Sequence, residues 1–205
     1  MDASDVRARW ASRTGEYSPR YYAYYGPDEV SEALESTLEE HVSQTASILE
    51  LGCSSGRHLK YLHDHGYEDV AGVEINDEAL DVMREEYPVL ADRGTFFSDS
   101  IESVVESLAD DAYDVVYSVQ TLQHIHSEAE WVFDSLARIT EQLLITVEIE
   151  GADRRDGDDV SVRDIDGLPI TYRNWRDVFD DERFSQVHAS DIGNNTMRVF
   201  ARNGR

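Results

Sequence analysis

The residues with the clearest chemical potential lie where a short apolar run breaks into glycine, in Ile48-Leu49-Glu50-Leu51-Gly52-Cys53-Ser54-Ser55-Gly56-Arg57-His58-Leu59. A strand that enters a tight glycine turn and then a helix lets a ligand approach the main chain closely. The helix start beyond it presents unpaired N–H groups and a partial positive charge, which suits an anion such as a carboxylate. The dinucleotide fingerprint G-x-G-x-x-G would need glycine at 54 and 57, where Ser54 and Arg57 stand. The spacing of Gly52 and Gly56, with Glu50 two residues before the first, is a different one. Two later carboxylates follow apolar runs. Glu74 closes Val70-Ala71-Gly72-Val73 and precedes Ile75; Asp99 follows Phe96-Phe97-Ser98 and precedes Ser100. A carboxylate has enough lone pairs to accept from both hydroxyls of a diol. A fourth run, Tyr113–Val119, carries Ser118 and is followed by Leu122-Gln123-His124-Ile125-His126. His124 is the candidate general base, with capping or packing of the next helix as its alternative role. His124, His126 and Glu128 lack a supporting second cluster, so no metal is expected.

The elements that must position these groups are legible as alternation. Strands are expected at Ile48–Leu51, Asp69–Glu74, Thr95–Ser98, Tyr113–Val119 and Gln142–Ile149, with helices at Gly56–His65, Asp77–Tyr87, Ile101–Ala109 and Ala129–Ile139. Ile101, Val104, Val105 and Leu108 show helical spacing, as do Ala129, Val132, Phe133 and Leu136. Strict strand–helix alternation implies an α/β fold, a doubly wound and mostly parallel sheet with helices on both faces. Ligands of such sheets bind at the carboxyl ends of the strands, where strand order reverses. Residues 151–167, rich in Asp, Arg and Gly, read as a surface loop. A helix at Trp175–Phe179 and strands near Phe184–Ala189 and Thr196–Ala201 complete the chain, with a turn at Gly193-Asn194-Asn195.

Before this lies an aromatic, basic segment with Trp10, Tyr17, Tyr21, Tyr22, Tyr24 and Tyr25 and with Arg7, Arg9, Arg13 and Arg20. Gly26-Pro27 breaks it ahead of a helix striped by Val30, Leu34, Leu38 and Val42. The expected organisation is an N-terminal helical cap at 1–45 on a Rossmann-like domain at 46–205, one structural unit overall. Tyr21, Tyr22 and Tyr25 are candidates for a lid, or for packing of the cap. Arg20 or Arg173 is placed to meet an acidic acceptor, and Glu148, at the end of the fifth strand, to orient an acceptor or to sit in solvent.

The 205 residues suffice for one sizeable core, and 40% of them are apolar. No run approaches the roughly 18 apolar residues of a membrane span, and the first residues lack the basic-then-apolar order of a secretory signal. One cysteine, Cys53, excludes an internal disulfide. A soluble cytoplasmic protein is expected. Its 43 acidic and 18 basic residues give a net charge of -25, and Lys60 is the only lysine. Such charge strains a compact fold by self-repulsion, and molar salt, with a screening length of about 3 Å, removes most of that strain. Because the acids are spread along the chain, the composition points to a salt-rich cytoplasm; the alternative is an acidic protein that seeks basic partners.

The Glu50–Gly56 stretch resembles motif I of the class I S-adenosylmethionine-dependent methyltransferases, with Ser54 where the usual middle glycine stands. The resemblance extends across 48–149. It implies S-adenosylmethionine as cofactor, held by Glu50, Gly52, Cys53, Ser54 and Gly56. It further implies Glu74 on the ribose hydroxyls, Ile75 on an adenine face, Asp99 and the Ser100 N–H on the adenine edge, and Ser118 beside the methionine part. Glu74→Ala is then expected to cost ligand and not fold. The family's enzymes for exocyclic or amide nitrogens carry Asn/Asp-Pro-Pro-Tyr/Phe after strand four, where this chain has Ser118-Val119-Gln120-Thr121. No basic stripe for nucleic acid is visible, so a small-molecule methyl acceptor is expected. The rivals are an NAD- or nucleotide-dependent enzyme and a non-catalytic cofactor-binding module.

Overall fold

The structure is a computed structural model that describes residues 2–150, 160–165 and 167–204. Three helices come first, α1 (Ala3–Ala11), α2 (Pro19–Tyr25) and α3 (Glu29–His41). Pro27 breaks the chain as expected, and Asp28 caps α3 by accepting from Val30 N at 3.0 Å. The apolar stripe of α3 does more than cap the domain: Val30, Leu34 and Leu38 are buried in the same cluster as the sheet residues Ile48, Val115 and Ile145.

The alternating region then forms β1 (Ile48–Leu51), α4 (Arg57–Asp64), β2 (Val70–Glu74), α5 (Glu78–Glu86), α6 (Pro88–Arg93), β3 (Thr95–Ser98), α7 (Ile101–Ser107), β4 (Tyr113–Val119), α8 (Trp131–Ile139) and β5 (Thr140–Glu148). Strands β1 to β5 are parallel, in the order β3-β2-β1-β4-β5. After β6 (Val160–Ile165), β7 (Leu168–Arg173) and α9 (Trp175–Phe179), the strands β8 (Phe184–Ile192) and β9 (Asn195–Arg202) complete the sheet. Strand β9 is antiparallel to both β5 and β8, so the seven-stranded order is β3-β2-β1-β4-β5-β9-β8.

Successive side chains on a strand point to opposite faces, and a parallel sheet buries both. Accordingly Leu49, Ala71, Val116 and Leu144 pack with α7, α8 and α9 around Trp175 and Phe179. Their neighbours Ile48, Val70, Val115 and Ile145 pack with α3, α4, α5 and α6. Each fully buried leucine on these faces contributes about 1.5–3 kcal/mol.

The chain departs from expectation between β5 and α9. Of the loop expected at 151–167, residues 151–159 and 166 lie outside the described residues. Residues 160–165 instead pair antiparallel with Leu168–Arg173 as a two-stranded hairpin, which was not anticipated. The alternation Val160-Ser161-Val162 is a strand signal, but the Asp/Arg/Gly run ahead of it masks it.

Candidate active site

Strand order reverses at β1, where β2 lies on one side and β4 on the other. A cavity of about 320 Å³ opens there, at the carboxyl ends of the strands, within the size range of small-ligand pockets.

One wall is the turn after β1. Gly52 has φ +67°, and a Cβ there would overlap the Thr121 side chain, so glycine is required twice over. Cys53 N donates to Val73 O at 3.0 Å and ties the turn to β2. Ser54 is held left-handed at φ 50° without being glycine, at the place of the motif's middle glycine. Its N–H donates to Glu74 Oε2 at 2.8 Å, and Glu74 Oε1 accepts from Asn76 N at 2.8 Å. One carboxylate thus spans both turns. Burial raises its pKa, while the N–H groups of Asn76, Ser54 and Ile75 oppose the rise. Gly56, at φ +83°, is not part of the wall; a Cβ there would press on Leu90 and Met83, so this glycine seats α4 against α5 and α6.

Glu50 lines the cavity, between Gly72 and Tyr117 in register. It is buried, and its Oε2 has no partner among the described residues. Burial pushes its pKa up to about 8, with Tyr117 and Arg57 opposing. A buried carboxylate with an unpaired oxygen favours a positive charge beside it. Arg57 is already engaged, 2.8 Å from Asp28 and with Tyr22 under its guanidinium at 5.1 Å.

The second wall follows β2 and β3. Ile75, Asn76, Ser100, Ile101 and Glu102 line it. Asp99 does not: it is exposed, and its Oδ1 accepts from Ser100 N at 2.6 Å, which occupies the very N–H expected on the adenine edge.

The third wall joins the exit of β4, the cap and the hairpin. Gln120 (φ 50°), Thr121, Gln123, His124 and Ile125 face Val6, Arg7, Trp10, Arg13, Tyr17 and Tyr22, with Leu168 and Ile170 from β7. The His124 ring packs against Trp10 with centroids 4.3 Å apart. Burial lowers its pKa to about 4, the Gln120 main chain working the other way, so the imidazole is neutral near pH 7. Ser118 and Glu148 stand behind this wall. Ser118 Oγ donates to Glu148 Oε1 at 2.8 Å, which also accepts from Thr121 N and Leu122 N at 3.1 and 3.0 Å. Glu148 is fully buried and burial pushes its pKa up to about 7. It holds the β4 exit turn and is neither in solvent nor at the mouth.

Of the expected lid residues, Tyr22 lines the cavity and burial pushes its hydroxyl up to about 12. Tyr21 and Tyr25 lie outside the wall, their rings tilted against each other with centroids 4.9 Å apart. Neither expected arginine reaches the cavity. Arg20 pairs with Glu85 at 2.8 Å on the surface. Arg173 is buried between Glu130, at 3.1 Å, and the Phe133 ring, and it donates to Ile125 O at 3.3 Å. The arginines of the wall are Arg7, Arg13 and Arg57. The i, i+4 spacing of Val6 and Trp10 on α1 was the available signal for this face; nothing local pointed to Leu168 or Ile170. Among the described residues there is no group of three or more metal-binding side chains, and no helix long and apolar enough to cross a membrane.

Residues 48–142 match a family model described as a methyltransferase domain. No curated protein matches the chain. Among solved structures, the chain is similar to a magnesium protoporphyrin IX methyltransferase from Synechocystis crystallised with bound S-adenosylhomocysteine (15% identity, 98% of this chain and 100% of that one, TM-score 0.67). It is also similar to S-adenosylmethionine-dependent methyltransferases from Aquifex aeolicus (15% identity, 98% of both chains, TM-score 0.61) and Mesorhizobium loti (14% identity, 82% and 96%, TM-score 0.63). At these identities the structures speak for the fold. Sheet order and cavity place the chain in the fold these structures share, and residues 48–142 are similar to a methyltransferase domain.

Proposed function

We propose that this chain is a class I S-adenosylmethionine-dependent methyltransferase whose small-molecule acceptor is held between the β4 exit, the N-terminal cap and the β6–β7 hairpin. The observation that carries the reading is that the Gly52–Ser54 turn, Glu50 with its unpaired carboxylate oxygen and Glu74 all line one cavity. When bound, S-adenosylmethionine supplies an electrophilic methyl group on a positively charged sulfur. Glu50 answers positive charge. Glu74, fixed by Ser54 and Asn76, keeps further lone pairs for a diol, and Ile75 with Ile101 offers an apolar slot for a flat ring. Ser100 stands in the wall of that slot.

Across the cavity the cap excludes water and aligns the acceptor, which supplies most of the rate. His124, neutral at working pH, takes a proton from an acceptor that still carries one. Ser118 and Glu148 act on the acceptor through the turn they hold, and Arg173 through Ile125. Cap and sheet act as one unit, because α3 shares the sheet's core. The dispersed acidity supports a salt-rich cytoplasm as the setting.

The test is titration with S-adenosylhomocysteine and, separately, NAD in molar salt, followed by methyl transfer from labelled cofactor into cell extract. The expected result is micromolar thioether binding, no NAD binding and a labelled small molecule. NAD binding without thioether binding would overturn the assignment, and label appearing only in nucleic acid or protein would overturn the acceptor class.

A further inference from the structure

Three arginines line the cavity, and one is treated differently. Arg7 lies 3.0 Å from Glu102 and Arg57 2.8 Å from Asp28. Arg13 has no carboxylate partner among the described residues; its Nε donates to Glu16 O at 3.0 Å, and its guanidinium lies over the Trp10 and Tyr17 rings at 5.8 and 5.6 Å. In a chain with 43 acids for 18 bases, an arginine with no carboxylate partner among the described residues and braced by two rings offers the Nη donors of its planar fork to an incoming anion.

A second observation lies beside Trp10. Its Nε1, Gln123 Oε1 and His124 Nδ1 are buried and lack hydrogen-bond partners among the described residues. Buried polar groups are rarely left so, and these three are neighbours: the Trp10 and His124 rings are 4.3 Å apart and the Gln123 and His124 Nε2 atoms 3.5 Å. Trp10 adjoins both groups, its ring 5.8 Å from the Arg13 guanidinium carbon and 4.3 Å from the His124 ring. The remaining wall here is apolar, with Val6, Ile125, Leu168 and Ile170.

Building on the methyltransferase reading above, we propose that the acceptor is a small, flat hydroxy-carboxylic acid. Its carboxylate pairs with Arg13, its ring lies against Trp10, Val6 and Ile170, and its hydroxyl meets the Trp10–Gln123–His124 cluster. The carboxylate fits a fork with free donors; the hydroxyl, able both to donate and to accept, fits a cluster that offers an indole N–H beside an amide and an imidazole.

The experiment uses the full chain in molar salt. S-adenosylhomocysteine is titrated first, then 4-hydroxybenzoate, 3-hydroxybenzoate and their methyl esters into the saturated protein. The expected result is binding of at least one acid, at least tenfold weaker binding of its ester, and at least tenfold weaker binding of the acid by Arg13→Gln. Arg13→Lys keeps most of the acid affinity, and both variants keep thioether affinity within threefold, which also shows that they fold. Ester and acid binding equally, neither acid binding at millimolar concentration, or Arg13→Gln binding the acid like wild type overturns the inference alone. Tenfold loss of thioether affinity in Arg13→Gln also overturns it, by giving Arg13 to the cofactor's own carboxylate. Wild-type protein that fails to bind the thioether sinks the methyltransferase reading together with it.

Discussion

The side of the cavity proposed for the cofactor and the side proposed for the acceptor are made differently. The first is largely main chain: Gly52, Cys53 and Ser54 turn over β1, tied to β2 by Cys53 N and by the Glu74 carboxylate. Its parts come from short stretches at adjacent strand ends, and backbone angles and hydrogen bonds set its shape. The second is largely side chain: Val6, Trp10 and Arg13 from the cap, Gln123 and His124 from the β4 exit, Leu168 and Ile170 from the hairpin. Its parts lie far apart in sequence, and packing alone unites them. A main-chain site tolerates many side chains and suits a ligand common to a family; a side-chain site is rewritten by single substitutions and suits a ligand that differs between members.

Gly52→Val tests the main-chain side most severely. A left-handed non-glycine costs about 1–2 kcal/mol, and overlap with Thr121 adds about 1–3 kcal/mol. Thioether affinity is expected to fall at least about 100-fold, and the melting temperature by roughly 5–15 °C. A small change in both would mean that the turn is not the site. Glu74→Ala is expected to lower affinity about 100-fold, but the strand end is not open as the sequence implied. Ser54 and Asn76 lose their acceptor, at about 1–3 kcal/mol for each N–H left buried, so calorimetry should show lost stability as well.

On the side-chain side the expected effects fall on turnover. His124→Ala should lower kcat about 100-fold for a protonated acceptor and leave thioether affinity within about twofold, since every contact it makes is with the third wall. With His124 held near 4, the kcat profile should show no histidine break between about pH 6 and 8; such a break would mean that the ring is solvated.

Smaller effects concern charge. Glu50, held at about 8 against an ordinary 4.5, is mostly protonated in the ligand-free protein at neutral pH. Because its pKa is raised by folding, its contribution to stability is full below about pH 4.5 and is lost as pH rises through about 8, at up to about 1.4 kcal/mol per pH unit. Glu50→Gln should flatten that part of the stability profile. A bound cation should draw the proton off, so S-adenosylmethionine binding at pH 7 should release up to about one proton, read from binding heats in buffers of different ionisation enthalpy. No release would place the cation elsewhere. Last, the melting temperature should rise by several degrees from about 0.1 to 2 M salt as self-repulsion is screened; a fall would mean that surface pairs such as Arg20–Glu85 outweigh it.

The same contrast explains what the sequence disclosed. Strands β1, β3 and β4 fall where their apolar runs predict, and the glycine turn and Glu74 fall at the cavity, because local spacing dictates local backbone. Asp99 and Ser118 occupy the predicted strand ends, yet one faces solvent and the other Glu148; spacing fixes a position on a strand, not the side chain's partner. Arg20 and Arg173 were chosen for charge, whereas Arg7 and Arg13 reach the cavity because the cap folds over it. Only the long-range docking of α1 and of the hairpin decides between them.

Ser54 and Gln120, both at φ 50°, leave the adjacent strands β1 and β4 in a conformation that side chains resist. Each holds about 1 kcal/mol in reserve. Selection for heat resistance alone should therefore converge on glycine at 54 and 120. Such variants would gain a few degrees and surrender the stiffness that keeps two lips of the cavity set before any ligand arrives.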